Sequence, residues 1–413
     1  MKKILLFIIF SPSLLCAQID VDEYRQRVVD YSYTLKKASA EVEYANHIYG
    51  VKRSGSYPSL TLSGEFSELL RNIEGQESWN FALQPQISQT VYGGGSVRAE
   101  KQSAALGVEV AELDAEYDLL EVCYTADYNF YNLVAMSSFR DAVARYVEII
   151  TSLKEVVELR YEEGYIAKGD LLMIETRLSE ALYEQISFNE DYMIALQKFN
   201  ILMGCDTDQP AVQKPVNIEG VKMPVRASLD DLLLNRPDLL AQKAIEQQAE
   251  QSVNIARAAY NPTLSVGVSG LWRPSTPNIN GSTTMDGSLF VKLSASIFHF
   301  GERRRAVAAA QSLQNSSAIS TLSLIDDIRL EESNMWATIV DSHAQLEAAR
   351  RALDIGSENL EISTFAYSEG LTTILDVMQA QISWLQLYTN SIWSEFNYLI
   401  SISAYRRITA GLK

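Results

Sequence analysis

A chain of 413 residues carrying a net charge of -17, with 35 Lys and Arg against 52 Asp and Glu, lacks the basic balance that nucleic acid demands. Ten prolines, twenty glycines and no Pro/Gly/Ser-rich linker argue against a string of small domains or a disordered tract. Three cysteines and three histidines (His47, His299, His343), none at metal-ligand spacing, provide neither a disulfide framework nor a zinc site.

The chain opens with a secretory leader. Lys2 and Lys3 are its positive start, Ile4 to Phe10 its apolar run, and Ala17 a small residue suited to cleavage, so residues 1-17 are expected to be a signal peptide and 18-413 the mature chain. Cys16 allows a lipoprotein alternative, although Leu15 before it is larger than such processing prefers. Loss of Lys2 and Lys3 makes the mature chain more negative still, which suits a hydrated surface or an acidic lumen. Cys123 and Cys205 are read as two separate thiols.

A helix is expected over about 20-50, two strands over 57-68 and 78-92, a very long helix over 96-160, a glycine turn, and a helix over 170-203. The same order then returns: 228-259, strands 261-272 and 286-300, a long helix 302-366, a glycine turn, and 374-410. Landmarks recur at nearly constant spacing. Tyr57-Pro58-Ser59-Leu60 returns as Asn261-Pro262-Thr263-Leu264 (262 - 58 = 204), and Gly95 as Gly301 (301 - 95 = 206). Arg160-Tyr161-Glu162-Glu163-Gly164 returns as Ala366-Tyr367-Ser368-Glu369-Gly370, each glycine followed six residues on by Asp170 or Asp376. The mature chain therefore reads as two repeats, 18-213 and 214-413, with strand pairs at 57-92 and 260-300.

The strands alternate strictly. Leu60, Leu62 and Phe66 oppose Ser59, Thr61, Ser63 and Glu65; Trp79, Phe81, Leu83 and Ile87 oppose Asn80, Gln84, Gln86 and Ser88. In the second pair, Leu264, Val266, Val268 and Trp272 oppose Thr263, Ser265 and Ser269, and Leu289, Val291, Leu293 and Ile297 oppose Ser288, Lys292, Ser294 and Ser296. One apolar and one wet face is the pattern of a transmembrane barrel strand or of a soluble sandwich. Trp79 and Trp272 toward the connecting loops (69-77 and 273-285), with Tyr57, Tyr92, Tyr260 and Phe298 at the other strand ends, place aromatics where the two bilayer interfaces would be and favour the membrane reading. No segment after the leader reaches eighteen apolar residues, so entry into a membrane must be by strands.

A helix of about 65 residues is ~100 Å long and needs coiled-coil partners. Leu385, Tyr388, Ile392, Phe396, Leu399 and Ile402 supply a stripe at spacings of three and four. Four strands cannot close a barrel, and open edges cannot face lipid, so strands of two, three or four chains must combine. No phosphate loop, nucleophile elbow or metal triad is present, so neither an enzyme nor a cofactor is expected.

Asn235-Arg236-Pro237-Asp238-Leu239, expected to open the first helix of the second half, stands with Tyr260-Asn261-Pro262 and with Glu369-Gly370-Leu371-Thr372-Thr373 leading to Asp376-Val377-Met378. A weaker copy of the last is Glu163-Gly164-Tyr165-Ile166-Ala167 with Asp170. With these motifs and the duplication, the chain resembles the TolC-type outer-membrane efflux factor family over essentially all its mature length. The resemblance implies a mainly α chain with a small β part: a duplicated long-helix coiled-coil α-barrel protomer whose four antiparallel transmembrane β-strands join a barrel shared in a trimer. It implies a passive exit duct of a tripartite efflux or type I secretion system, located in the outer membrane with a long periplasmic tunnel. The implied partners are a homotrimer, a periplasmic adaptor protein, an inner-membrane pump of RND or ABC type, and outer-membrane lipid. The alternative is a non-channel structural coiled-coil protein of the envelope.

The resemblance also places the adaptor contact at the hairpin tips (Gly164, Tyr165, Gly370, Leu371, Thr372), where the glycines also simply permit a tight turn. It places a periplasmic gate at Tyr367, Asp376 and Asp170, and Tyr161 offers a further hydroxyl to a carboxylate. Gln379 and Thr372 depart from acidic and basic positions of the family pattern. Asp376 would equally suit a helix N-terminus.

Overall fold

The computed structural model describes residues 19-68, 70, 79-210, 221-273 and 284-410. The leader with Cys16, and the strand-connecting loops apart from Leu70, Arg273, Thr284 and Met285, lie outside the described residues. In chain order the elements are α1 (Val21–Tyr31), α2 (Tyr33–Ser54), β1 (Ser59–Glu68), β2 (Trp79–Gly93), α3 (Ser96–Glu162), α4 (Lys168–Leu202), α5 (Leu229–Asn235), α6 (Pro237–Ala258), β3 (Thr263–Arg273), β4 (Thr284–Ser294), α7 (Glu302–Ser368) and α8 (Ile374–Ile408). The order repeats, and α3 and α7 each have 67 residues while α4 and α8 each have 35.

Three expected boundaries differ, each for a local reason. The 20-50 helix breaks at Ser32, whose ψ of 122 leaves the helical region and whose hydroxyl accepts from Leu35 N–H to begin α2. The 228-259 helix breaks at Arg236, because the residue before a proline is pushed out of the α region. The Asn235–Leu239 motif therefore opens the second of two helices rather than the first. The last strand ends at Ser294 rather than at 300: Ser294 pairs with Thr263, the first residue of β3, so beyond it no partner strand remains. Phe300 and Gly301, both at positive φ, then turn the chain into α7.

The chain forms two compact units, each drawing on both repeats. Of the described residues, one comprises those up to Lys36, those from Asp118 to Leu232 and those from Ile328 onward. Its largest core joins Tyr146, Ile150, Leu153 and Val157 of α3 to Ile174 and Ala181 of α4, Leu360 and Tyr367 of α7, and Ile374, Val377 and Trp384 of α8. Spacings of three and four along α3, and of seven along α4 and α7, make this coiled-coil packing. The expected α8 stripe faces inward but spans several cores: Leu385 and Tyr388 pack half-buried against this one, Ile392 and Phe396 join a separate cluster with Phe139, and Leu399 and Ile402 are buried beyond it. A second core stacks Tyr24 on Phe199 at 4.0 Å between ring centres, with Phe130 beside them. Cys123 and Cys205 are unpaired.

The other unit, Lys37–Tyr117 with Leu233–Asp327, carries the sheet, antiparallel in the order β1-β2-β3-β4. Its register places Leu60 opposite Ile87, Ile87 opposite Val268, and Val268 opposite Leu289; Leu264 lies opposite Leu293 and Trp272 opposite Leu83. One face is thus continuously apolar across four strands, and it is open: Leu60 is 73% and Leu289 80% exposed. On the other face Ser59 lies by Ser88, and Ser269 and Ser288 share a hydrogen bond of 2.7 Å. Phe290 breaks this polar face because Gly267 sits beneath its ring, where a Cβ would come within 2.6 Å of it. Val91 is a bulge between paired Thr90 and Tyr92. Among the described residues of one chain the outer edges of β1 and β4 are unpaired. No described helix is long and apolar enough to cross a membrane.

Candidate functional site at the hairpin tips

Both hairpin tips lie in the first unit and are built alike. At the end of α3, Gly164 N–H bonds to Tyr161 C=O (3.0 Å) and Tyr165 N–H to Arg160 C=O (2.9 Å). At the end of α7, Gly370 N–H bonds to Tyr367 C=O (3.0 Å) and Leu371 N–H to Ala366 C=O (2.8 Å). This pair of bonds is the Schellman motif, with glycine at the left-handed position: φ is 79 at Gly164 and 75 at Gly370. A Cβ at either would touch nothing within 4 Å, so the glycines are required by the dihedral angle and not by space. Such motifs commonly fold the next apolar side chain back onto the helix. Here those side chains point outward, Tyr165 at 76% and Leu371 at 79% exposure, so each tip carries an exposed apolar group.

The helices that follow begin differently. Asp376 is the third residue of α8, and its Oδ2 accepts from Thr373 N–H (3.0 Å), the Thr373 hydroxyl (2.6 Å) and the Thr372 hydroxyl (2.7 Å), closing a capping box. The Thr373 hydroxyl first, then that of Thr372 and the Thr373 N–H, hold this carboxyl below its usual range. The equivalent N-cap of α4 is Ala167, which has no hydroxyl to offer. Its place is taken by apolar contact: Ile166 before the cap and Leu171 in the fourth helical position both pack against the largest core, the two positions of a hydrophobic staple.

Tyr367 is buried in that core at 4% exposure, and its hydroxyl has no hydrogen-bond partner among the described residues. Burial pushes its phenol up; Arg160 opposes the shift and Asp170 adds to it. Asp170 and Tyr367, from different hairpins, are thus within electrostatic reach. Within one chain, however, the Asp376 carboxylate faces its own cap, and Tyr161 is an exposed side chain at the end of α3.

Arg160 is the tip residue that sequence reasoning missed. Its Nη2 donates to Ser368 C=O (2.7 Å), an orphan carbonyl at the end of α7, and its guanidinium carbon lies 4.8 Å from the Tyr367 ring centre. It ties the first hairpin to the second. Only its replacement by Ala366 in the other repeat marks it in the sequence.

The Asn235–Leu239 motif, in the second unit, forms a helix start. Pro237 occupies the first turn, Arg236 Nε donates to Asp238 (2.8 and 3.0 Å), Asp238 accepts from Leu239 N–H (2.8 Å), and Leu239 is fully buried.

Residues 17–204 and 228–400 match the sequence family described as outer membrane efflux protein. Nodulation protein T of Rhizobium leguminosarum bv. trifolii is 23% identical over 391 residues, covering 87% of this chain and 79% of that protein. Outer membrane protein TolC of Escherichia coli (strain K12) is 23% identical over 392 residues, 89% and 77% of the two chains. Among solved structures, the outer membrane protein VceC from Vibrio cholerae shares the fold at a TM-score of 0.81 and 16% identity, over 95% of this chain and 96% of that one.

Proposed function

The chain belongs to the outer membrane efflux protein family, and from that premise we propose that it is one protomer of a trimeric exit duct, passive in itself, that carries solutes from the periplasm through the outer membrane. The observation that carries the reading is the sheet: four strands, one continuous exposed apolar face and two unpaired edges. Unpaired backbone groups cost several kcal/mol each in hydrocarbon, so the edges call for copies of themselves. Three copies give twelve strands, within the range of closed membrane barrels. α3 with α4 and α7 with α8 would line the periplasmic tunnel, and their tips would be its inner end.

The exposed Tyr165 and Leu371 support docking of a periplasmic adaptor on the tips, with an inner-membrane pump supplying the energy. Gly164, Gly370 and Thr372 hold those turns in shape. We place the closed gate at the same end, with Asp170, Asp376, Tyr367 and Tyr161 of each copy. The burial of Tyr367 beside Arg160, and the reach of Asp170 toward it, support that placement.

The test is native mass spectrometry of the protein in mild detergent, followed by planar-bilayer recording. A trimer that conducts is expected. A monomer as the only species, or a trimer that stays silent even when Asp376 and Tyr367 of the gate are replaced, would favour a structural coiled-coil protein instead.

A further inference from the structure

The chain as a whole has 35 basic and 52 acidic residues, yet the stretches joining the sheet to the helices reverse that balance. Residues 52-57, 94-101, 257-262 and 299-305 hold eight Lys and Arg and only two acids, Glu100 and Glu302. Both acids are engaged: Glu100 pairs with Lys52 (2.9 Å), and Glu302 faces His299 (3.7 Å). Arg303 reaches Asn261. The other six, Arg53, Arg98, Lys101, Arg257, Arg304 and Arg305, have no carboxylate partner among the described residues, and all but the half-buried Lys101 are exposed.

Helix stability explains only part of the cluster: Arg53 and Arg257 stand in the last turns of α2 and α6, where positive charge suits the helix dipole. Arg98 lies in the first turn of α3 and Arg304 and Arg305 in the first turn of α7, where positive charge opposes the helix dipole. The cluster's position explains all of it. Arg53 and Arg257 end the helices that enter β1 and β3, and Arg98, Arg304 and Arg305 begin the helices that leave β2 and β4. Arg53, Arg98 and Arg257 lie five or six residues from a strand end, and Arg304 and Arg305 stand in the helix that follows the turn after β4. Next to them are the exposed aromatics Tyr57, Tyr92, Phe298 and Phe300. An apolar band, an aromatic rim and then unpaired cations is the sequence of chemistries met on leaving hydrocarbon for anionic headgroups.

We propose that this basic belt binds the headgroups of anionic phospholipid in the periplasmic leaflet of the outer membrane. The inference rests on the exit-duct reading, which puts the helical end of the sheet in the periplasm. Charge complementarity and continuity with the apolar face select the lipid. A guanidinium donates to phosphate oxygens in a fork, and a chain of acyl carbons lies on the adjoining face. Three copies would carry the belt around the whole barrel, in a protein whose remaining surface repels anions. It would fix the depth at which the barrel sits.

The test uses the full-length protein in nanodiscs made from equal phosphatidylglycerol and phosphatidylethanolamine, with retained lipid read by native mass spectrometry. Wild type should retain phosphatidylglycerol in excess, and the excess should shrink as sodium chloride is raised. The combined Arg98→Gln, Arg304→Gln and Arg305→Gln variant should lower it by roughly fivefold or more, the effect of at least one such charge at a membrane surface. A control carrying Arg145→Gln, Lys222→Gln and Arg351→Gln should match wild type. Equal retention in both triple variants, or a wild-type preference indifferent to salt, overturns the belt; the salt arm decides even if the first variant fails to fold. Displacement of phosphatidylglycerol by lipopolysaccharide would assign the belt to the opposite leaflet and overturn it too. A trimer that conducts without lipid preference rejects this inference alone, whereas a non-conducting monomer rejects the duct.

Discussion

From Arg160 to Asp170 and from Ala366 to Asp376 the backbone follows the same turn, yet Thr372-Thr373 stands in the second tip where Ile166-Ala167 stands in the first. The reversal of direction admits one solution in both, a glycine at positive φ. The start of the next helix admits two. The second tip satisfies its free N–H groups with a carboxylate and two hydroxyls; the first presses Ile166 and Leu171 onto a core and begins its helix with Lys168 and Gly169, poor residues for that end. A duplicated sequence can therefore conserve a turn while exchanging polar for apolar fastening.

The largest effect should come from the shared feature. Gly164→Pro or Gly370→Pro forces φ to about -65 where the turn needs the left-handed region, at a cost of about 3 kcal/mol or more. Each should abolish crosslinking of the tips to a periplasmic adaptor while the trimer stays in the membrane; normal crosslinking in the Gly370 variant would remove the tip from the contact.

The unshared feature comes next. Thr373→Ala should loosen the second tip by about 1 kcal/mol, and Ala167→Thr should tighten the first by up to about that much. Amide exchange in the first turns of α8 and α4 measures both. An equal response to loss of hydroxyl in one and its gain in the other would show that the two tips are fastened independently of their neighbours.

Much of this was legible in the sequence because period-two alternation and the 206-residue spacing report on whole elements. Leu60, Leu62 and Phe66 announce one face of a strand irrespective of what covers it. The breaks at Ser32 and Arg236 were less visible, because a single serine or an Arg-Pro pair is weak evidence against an otherwise helical run. Arg160 was marked only by Ala366 at its place in the other repeat: its bond to the Ser368 carbonyl joins residues 208 apart, and neither residue type is special to that role. Arg160→Ala should free the end of α7 by about 0.5–1 kcal/mol, discounted because the pair is solvent-exposed. Faster amide exchange in the last turn of α7, with α3 unaffected, is the expected outcome.

The smallest effect is that of pH. The Asp376 carboxyl is depressed by its hydrogen bonds, so the stability that it lends is present above the unfolded carboxylate range and is lost as pH falls through its lowered value. The protection of the Thr373 amide, taken against its intrinsic exchange rate at the same pH, should fall with acid in wild type and stay constant in Asp376→Asn. If three copies of this residue also form the gate, the same variant should weaken divalent-cation block in bilayer recordings. Unchanged block would leave Asp376 as a capping residue only.

The unpaired margins of the sheet also have a genetic consequence. A wall assembled from several copies inherits the faults of each, so a cell making equal amounts of sound and defective chains keeps roughly one in eight three-copy assemblies wholly sound. Substitutions that spoil the margin's own pairing are excluded from assembly and should behave as recessive. Those that spare the margins but damage the tips enter every mixture, and should therefore be dominant over a sound copy of the gene.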